Sequence, residues 1–268
     1  MMADRRNLYF FYEETDQTLL KRMHPIYQRL KDSGFTILDD PMQANAIVSV
    51  GGDGTFLQAL RKTGFRNDCL YAGVSATDET SFYCDFHIDH VEKAIEEITN
   101  TEIEVRKYPI IHVTVDHDTS FYCLNEFSLR SSIIKTIALE VFIDDLHFET
   151  FRGDGLVVST PTGSTAYNKS LHGAVVDPLL HCYQVSELAS LNNNNYRTLS
   201  SPFLLNGDRT LTLRVSQDGN SYPIMGMDNE ALSVKHVEKV VIKLSDKEIK
   251  TVKLKNNSFW EKVQRTFL

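Results

Sequence analysis

The run IVSVGGDGTFLQAL, residues 47–60, constrains the fold more than any other stretch. The apolar segment AIVSV just ahead of the glycines reads as a strand buried on both faces, the mark of a parallel sheet covered by helices. It stops at Gly51, Gly52, Asp53 and Gly54. Beyond them Phe56, Leu57 and Leu60 give a helix with one apolar side, beginning at Thr55. Open α/β sheets bind ligands at such strand ends, because backbone N–H groups and a helix N-terminus face the crevice there. Glycines let the backbone approach a phosphate with no Cβ in the way. Asp-Gly is also a common hairpin pair, but a hairpin needs alternating strands on both sides.

The first third of the chain alternates short apolar runs with helical patterns, as a parallel sheet with flanking helices does. NLYFFY predicts a first strand whose aromatics Tyr9–Tyr12 are core. Leu19, Leu20, Met23, Ile26, Tyr27 and Leu30 predict a helix that contains Pro25 and stops near Gly34. FTIL, AIVSV and LYAGV follow as strands, and residues 91–98 as an amphipathic helix. From about residue 103 the pattern changes to short β-branched and aromatic segments such as IIHVTV, FYCLNEFSL, IALEVFID and TLTLRV. One helical stretch, from about Ser164 to Leu191, interrupts them. The fold class expected is therefore an α/β N-terminal domain, Rossmann-like with a parallel sheet and flanking helices, plus a mainly-β C-terminal domain that is β-sandwich-like. The expected division is 1–102, 103–252 and a tail, 253–268. In that tail Phe259, Trp260, Val263 and Phe267 recur at helical spacing and pack on the body.

Composition narrows the function. Among 268 residues, 36 acidic side chains face 28 basic ones, which argues against a bulk electrostatic hold on nucleic acid or anionic lipid. No apolar run reaches the roughly 20 residues needed to cross a bilayer, and the first residues lack a signal peptide's pattern, so a cytoplasmic location is expected. The four cysteines have neither metal-site spacing nor disulfide density. His87 and His90 lack a third ligand and read as surface or helix-start residues. Thr77, Asp78, Glu79 and Asp85 read as a solvated acidic loop.

Asp53 is the chemically pointed residue. The loop differs from the Lys-containing phosphate loop, and a carboxylate beside phosphates is repulsive unless it has a task. It can help hold Mg²⁺, or it can orient and deprotonate a hydroxyl that attacks a phosphoryl group. Phosphoryl transfer is mostly positioning and charge neutralisation, so an ionised Asp suffices for the second task.

GGDGT resembles the hallmark of the NAD kinases, which diacylglycerol and sphingosine lipid kinases share. STPTGSTAYNKS, Ser159 to Ser170, is similar to the dinucleotide-binding turn of the NAD kinases, and Asn125-Glu126 in LNE to their Asn-Glu pair. By composition alone the latter is an edge or turn pair. On a plain reading Pro161 and Gly163 make a tight turn, with Ser164 and Thr165 capping a helix. FRGDGLVVSTP, with Arg152 and Asp154, and ELASLNNNNYRTLSSP, with Ala189, Leu191 and Tyr196, resemble segments that reach an NAD site shared between subunits; by composition alone Gly-Asp-Gly is a hairpin turn. The resemblance runs from about Asn45 to Asp228 and is nearest to the gram-positive bacterial branch. Two departures stand out: SATDETSFYCDF keeps Phe82 and Tyr83 where the family has G-x-L-G-F, and Asp228 is followed by Asn229.

The resemblance implies transfer of the ATP γ-phosphoryl group to the adenosine 2′-hydroxyl of NAD, with Mg²⁺ or another divalent cation, in a homodimer or homotetramer. Asp53 would be catalytic, with Gly51, Gly52, Gly54 and Thr55 shaping the phosphate region. Phe82, Asn125, Glu126, Arg152, Asp154, Thr165, Ala166, Tyr167, Ser170, Ala189 and Leu191 would contact the dinucleotide. Arg130, Lys135, Arg152 and Lys169 are candidate phosphate partners. A lipid kinase leaves the TPTGSTAY turn unexplained, and a non-catalytic NAD or NADP sensor gains little from Asp53.

Overall fold

The computed structural model describes residues 6–77, 81–91, 104–116, 119–216, 223–233, 236–254 and 257–268. Residues 92–98 of the expected amphipathic helix, and Asp78 and Glu79, lie outside that set. The chain forms two compact units, residues 1–108 with 248–268, and residues 109–247.

In the first unit, β1 (Asn7–Phe11), β2 (Thr36–Ile37), β3 (Ala46–Gly51), β4 (Leu70–Ser75) and β5 (Cys84–His87) pair in parallel in the order β2-β1-β3-β4-β5. Helix α1 (Gln17–Asp32) starts where Asp16 accepts the N–H groups of Thr18 and Leu19, and it buries Leu19, Met23, Ile26 and Leu30. These pack with Leu8, Val48, Val50, Ala72 and Val74 of the strands, so one apolar stripe and one sheet face make the core. Helix α2 (Asp53–Lys62) buries Phe56, Leu57, Ala59 and Leu60. It begins two residues before the expected Thr55, so Asp53 itself stands in its first turn.

The aromatics of β1 depart from expectation. Leu8 is buried, whereas Tyr9 to Tyr12 are half-buried, and they line a cavity of about 730 Å³ with Tyr27, Leu38 and Lys62.

The second unit takes in most of β6 (Glu104–Val115), then β7 (Thr119–Cys123), β8 (Glu126–Arg130), β9 (Ile137–Ile143), β10 (Leu146–Gly153), β11 (Gly155–Ser159), β12 (Cys182–Leu188), β13 (Phe203–Asn206), β14 (Leu211–Val215), β15 (Ile224–Met227), β16 (Glu230–Ser233) and the first part of β17 (Lys239–Lys253). One sheet holds β10-β9-β14-β17, with β6 on β17 and β7 on β6; the other has the order β13-β12-β11-β8-β15-β16. Alternate residues of both sheets, among them Ile111, Leu139, Val141, Leu213, Phe127, Leu156, Val158 and Tyr183, fill one core, the sandwich-like arrangement the sequence predicts.

Three local readings are corrected. The expected helix over 164–191 is a 3-10 turn (Thr162–Thr165) and a short helix, α3 (Tyr167–Ser170), while residues 182–188 are β12. FYCLNEFSL is two strands, because the chain breaks at Leu124 and Asn125. Gly-Asp-Gly is not a hairpin: β10 pairs with β9 in one sheet and β11 with β8 and β12 in the other, so Asp154 marks where the chain changes sheets.

Candidate active site

The site residues divide between the units. In the first, β3 ends at Gly51 (φ +156), where a Cβ would stand 2.3 Å from Thr55 Oγ1, so only glycine admits the Thr55 side chain. The Cys84 thiol lies 3.8 Å from the Gly51 carbonyl, and burial pushes it up to about 12, well outside thiolate chemistry.

Asp53 is half-buried at the head of α2 and does not point into the core. Phe82 N–H donates to its Oδ2 at 2.8 Å and Tyr83 N–H to its Oδ1 at 2.7 Å, and the Ser81 hydroxyl donates to Oδ1. A carboxylate offers about four lone-pair directions, so three donors fix it and leave one for a ligand. Ser81, Phe82 and Tyr83 thus serve as the cradle of the carboxylate, which the sequence did not disclose.

Behind the cradle, α4 (Phe259–Phe267) starts on a reciprocal cap between Ser258 and Glu261. Its buried residues are Phe259 and Lys262, whereas Trp260 and Phe267 are exposed and Val263 half-buried, against the expected apolar stripe. Lys262 Nζ donates to Phe82 O at 2.7 Å and pairs with Asp85. Burial lowers its pKa to about 8 against the pull of Asp85. Asp85 is no solvated residue: its side chain is 4% exposed and also takes Arg106 at 3.0 Å. His87 does sit at a helix start, accepting Asp89 N–H.

In the second unit Asp228, held at φ +52, supplies the geometry. Its carboxylate accepts the N–H groups of Leu124, Asn125 and Glu126 at 3.1, 2.7 and 3.3 Å, which is why the strand breaks there. The freed carbonyls then receive the turn: Thr160 N–H bonds to Asn125 O at 2.9 Å and Thr160 Oγ1 to Leu124 O at 2.6 Å. Gly163 presses so closely on this step that a Cβ would meet Asn125 O at 2.0 Å.

Ser164 and Thr165 do not cap α3; their hydroxyls turn back onto the carbonyls of Pro161 and Thr162 at 2.6 and 3.1 Å. Asn168, fully buried, ties α3 to β12 through Ser186 Oγ at 2.8 Å. Ala166 and Tyr167 are half-buried and Ser170 is exposed.

Glu126 is 8% exposed, and the Tyr167 N–H reaches it. Burial, with the nearby Asp228 charge, pushes its carboxyl up to about 8. Glu126 Oε2, Ser159 Oγ and Thr162 Oγ1 are buried without hydrogen-bond partners among the described residues, and Ser159 is the register partner of Glu126. Such atoms cost about 1–3 kcal/mol each. Each such atom calls for a partner that the described residues do not supply.

The remaining candidates gather at the other end of β11. Arg152 O accepts Leu191 N–H at 2.7 Å, and the Arg152 guanidinium lies 4.8 Å from the Tyr196 ring centroid. Asp154, Ala189 and Leu191 are exposed, and Asp154 N–H bonds to Leu188 O at 2.9 Å. Arg130, opposite Gly155, carries its guanidinium to 5.8 Å from the Tyr167 ring and so connects this group with the turn. No cluster of three or more His, Cys, Asp or Glu able to hold a metal occurs among the described residues.

A carboxylate at a glycine-loop helix start, and a buried Asn-Glu step clasped by a hydroxyl-rich turn, define the class: kinases built on the GGDGT loop. Residues 124–254 match the ATP-NAD kinase C-terminal domain. Over 267 residues, all of both chains, the sequence is 75% identical to a Bacillus cereus protein described as NAD kinase 2, and it is 63% identical over 268 residues, again all of both, to one so described from Bacillus subtilis. The chain belongs to the NAD kinase family. Two solved structures share the fold. A yeast NADH kinase complexed with NADH has a TM-score of 0.79 at 16% identity, covering 97% of this chain and 86% of that one. An Archaeoglobus fulgidus NAD kinase in complex with ATP has a TM-score of 0.74 at 23% identity, covering 96% and 98%.

Two outcomes are expected. Glu126 keeps its proton in the folded state between its ordinary value of 4.5 and about 8 while the unfolded chain loses it, so stability falls as pH rises across that window. Glu126→Gln removes this slope, and its stability relative to the parent should climb by roughly 1–3 kcal/mol between pH 5 and pH 8, read by urea unfolding at both values. Gly163→Ala forces the turn off Asn125 and should cost about 2 kcal/mol or more, read as a lowered melting temperature.

Proposed function

We propose that the protein phosphorylates the adenosine 2′-hydroxyl of NAD with ATP, presented as its Mg²⁺ complex, to give NADP. The full-length similarity to proteins described as NAD kinase 2 supports this reading, and the observation that carries it is the Asp53 carboxylate, fixed by three donors with one acceptor direction left.

In this reading Asp53 accepts the 2′-hydroxyl and takes its proton as the oxygen attacks the γ-phosphorus. Gly51, Gly52, Gly54 and Thr55, at the positive end of the α2 dipole, receive the phosphates. Mg²⁺ arrives on the nucleotide, as is usual for this ion. Phe82 belongs to the loop beside Asp53.

In the second unit Asn125, with donor and acceptor, reads the dinucleotide, and Glu126 offers its free oxygen to a ribose hydroxyl. Thr165, Ala166, Tyr167 and Ser170 form the wall against which the base lies, the ring and the small Ala side chain leaving room for a flat group. Arg152, Asp154, Ala189 and Leu191 serve the site of a neighbouring subunit in a homodimer or homotetramer, for which the exposure of Asp154, Ala189 and Leu191 suits them. No helix among the described residues is long and apolar enough to cross a membrane; we place the enzyme in the cytoplasm, where NAD and ATP are supplied.

Purified protein given ATP, Mg²⁺ and NAD should produce NADP, read by a coupled NADP-specific dehydrogenase. Asp53→Asn should lower turnover roughly 100-fold or more while NAD still binds; near-parental turnover would remove Asp53 from the chemistry.

A further inference from the structure

The peptide unit between Phe82 and Tyr83 is gripped at both ends within the first unit. Its carbonyl, Phe82 O, accepts from Lys262 Nζ at 2.7 Å, and its N–H, on Tyr83, donates to Asp53 Oδ1 at 2.7 Å. A cation on the oxygen side of a peptide draws electron density toward that oxygen and makes the N–H a stronger donor, an effect that grows away from bulk water.

Lys262 is fully buried, its ammonium 5.7 Å from the Phe82 ring centroid. It is anchored as well as buried: Asp85 receives Lys262, Arg106 at 3.0 Å and Asn257 Nδ2 at 2.8 Å, and Arg106 also donates to the Asn257 carbonyl at 2.5 Å. One carboxylate between two cations leaves a surplus positive charge beside the Phe82 carbonyl.

Burying such a charge costs several kcal/mol per ion, and apolar side chains of similar volume commonly stabilise as well or better. Stability alone therefore does not account for a lysine buried beside Phe259 on α4. The direction of its hydrogen bond does, because the peptide it polarises ends on the carboxylate at the helix start.

We propose that Lys262 is a positioning residue for Asp53, acting through the Phe82–Tyr83 peptide to hold the carboxylate in the one orientation that leaves an oxygen lone pair for the acceptor hydroxyl. This rests on the assignment of Asp53 as the group that receives that hydroxyl. Lys262 touches no substrate; its effect is on how long and how well Asp53 is aimed.

The test is steady-state kinetics on the full chain with ATP, Mg²⁺ and NAD. Lys262→Met keeps an unbranched stem and removes the ammonium. Its kcat should fall roughly tenfold or more, as misplacement of a reacting group does, with KM for NAD within about twofold of the parent and a melting temperature above that of the assay. Lys262→Arg, which keeps donor and charge, should recover most of the loss.

A double-mutant cycle separates aiming from folding. In the Asp53→Asn background Lys262→Met should cost little further, whereas a purely structural role gives the same loss in both backgrounds. Unchanged kcat in Lys262→Met, a loss confined to KM, or additive losses would overturn the proposal while leaving Asp53 in place. Near-parental turnover of Asp53→Asn overturns the reading of Asp53 and this proposal together. If Lys262→Met fails to fold, Lys262→Gln, a neutral donor to the Phe82 carbonyl, carries the same measurements with an expected intermediate kcat.

Discussion

A negative side chain set where phosphates must come is tolerable only if the chain satisfies it first. At Asp53 two consecutive backbone N–H groups and a hydroxyl do this. Everything nearby follows from that demand. Gly51 gives Thr55 room against the strand end, α2 starts at the carboxylate, and the 81–83 segment lies across β4 so that its donors converge. Gly73 of β4 allows that crossing, since a Cβ there would meet the Tyr83 carbonyl at 2.4 Å. The outcome is an acceptor whose geometry is settled before any ligand binds, the preorganisation on which electrostatic catalysis depends.

The second unit applies the same device to structure. Asp116, Asp144 and Asp228 have φ values of +51, +54 and +52, which short acidic side chains tolerate. Each carboxylate accepts backbone N–H groups from a distant strand or turn: Asp116 those of Glu238 and Lys239, Asp144 that of Thr210, Asp228 those of residues 124–126. Part of the acidic excess that speaks against a nucleic-acid partner is thus spent as staples between strands. Asp228 has a double effect, since it opens the strand at Asn125 and its charge helps keep a proton on Glu126.

The parts read correctly from the sequence were those whose cause is local. Strand β3, helices α1 and α2 and the change to short alternating strands follow from periodicity; Asp53 stood out as a candidate because a carboxylate among glycines has no packing purpose. The misreadings have long-range causes. YQVSEL falls within the expected helical stretch 164–191, although Tyr183, Gln184, Val185 and Ser186 alternate apolar and polar as a strand does. Gln184 and Ser186 are buried on the opposite face, binding Ala174 and Asn168, while Tyr183 and Val185 fill the core. Lys262 was missed because its partners lie some 180 residues earlier. The available signal was a cation at helical spacing from Phe259, on the side of α4 that should be apolar. Asn168 stood out only as part of the STPTGSTAYNKS resemblance, since its partner on β12 is set by tertiary packing.

The unit that bears Asp53 is discontinuous, its two stretches separated by the whole of the other unit. A ribosome therefore releases the glycine loop early and the lysine that braces its neighbour late, after every strand of the intervening sandwich has emerged. Closure of so long an interval is entropically dear only in logarithm, but it is slow. Bracing of the Phe82 carbonyl by Lys262 thus depends on a stretch of chain that follows the whole intervening unit in sequence.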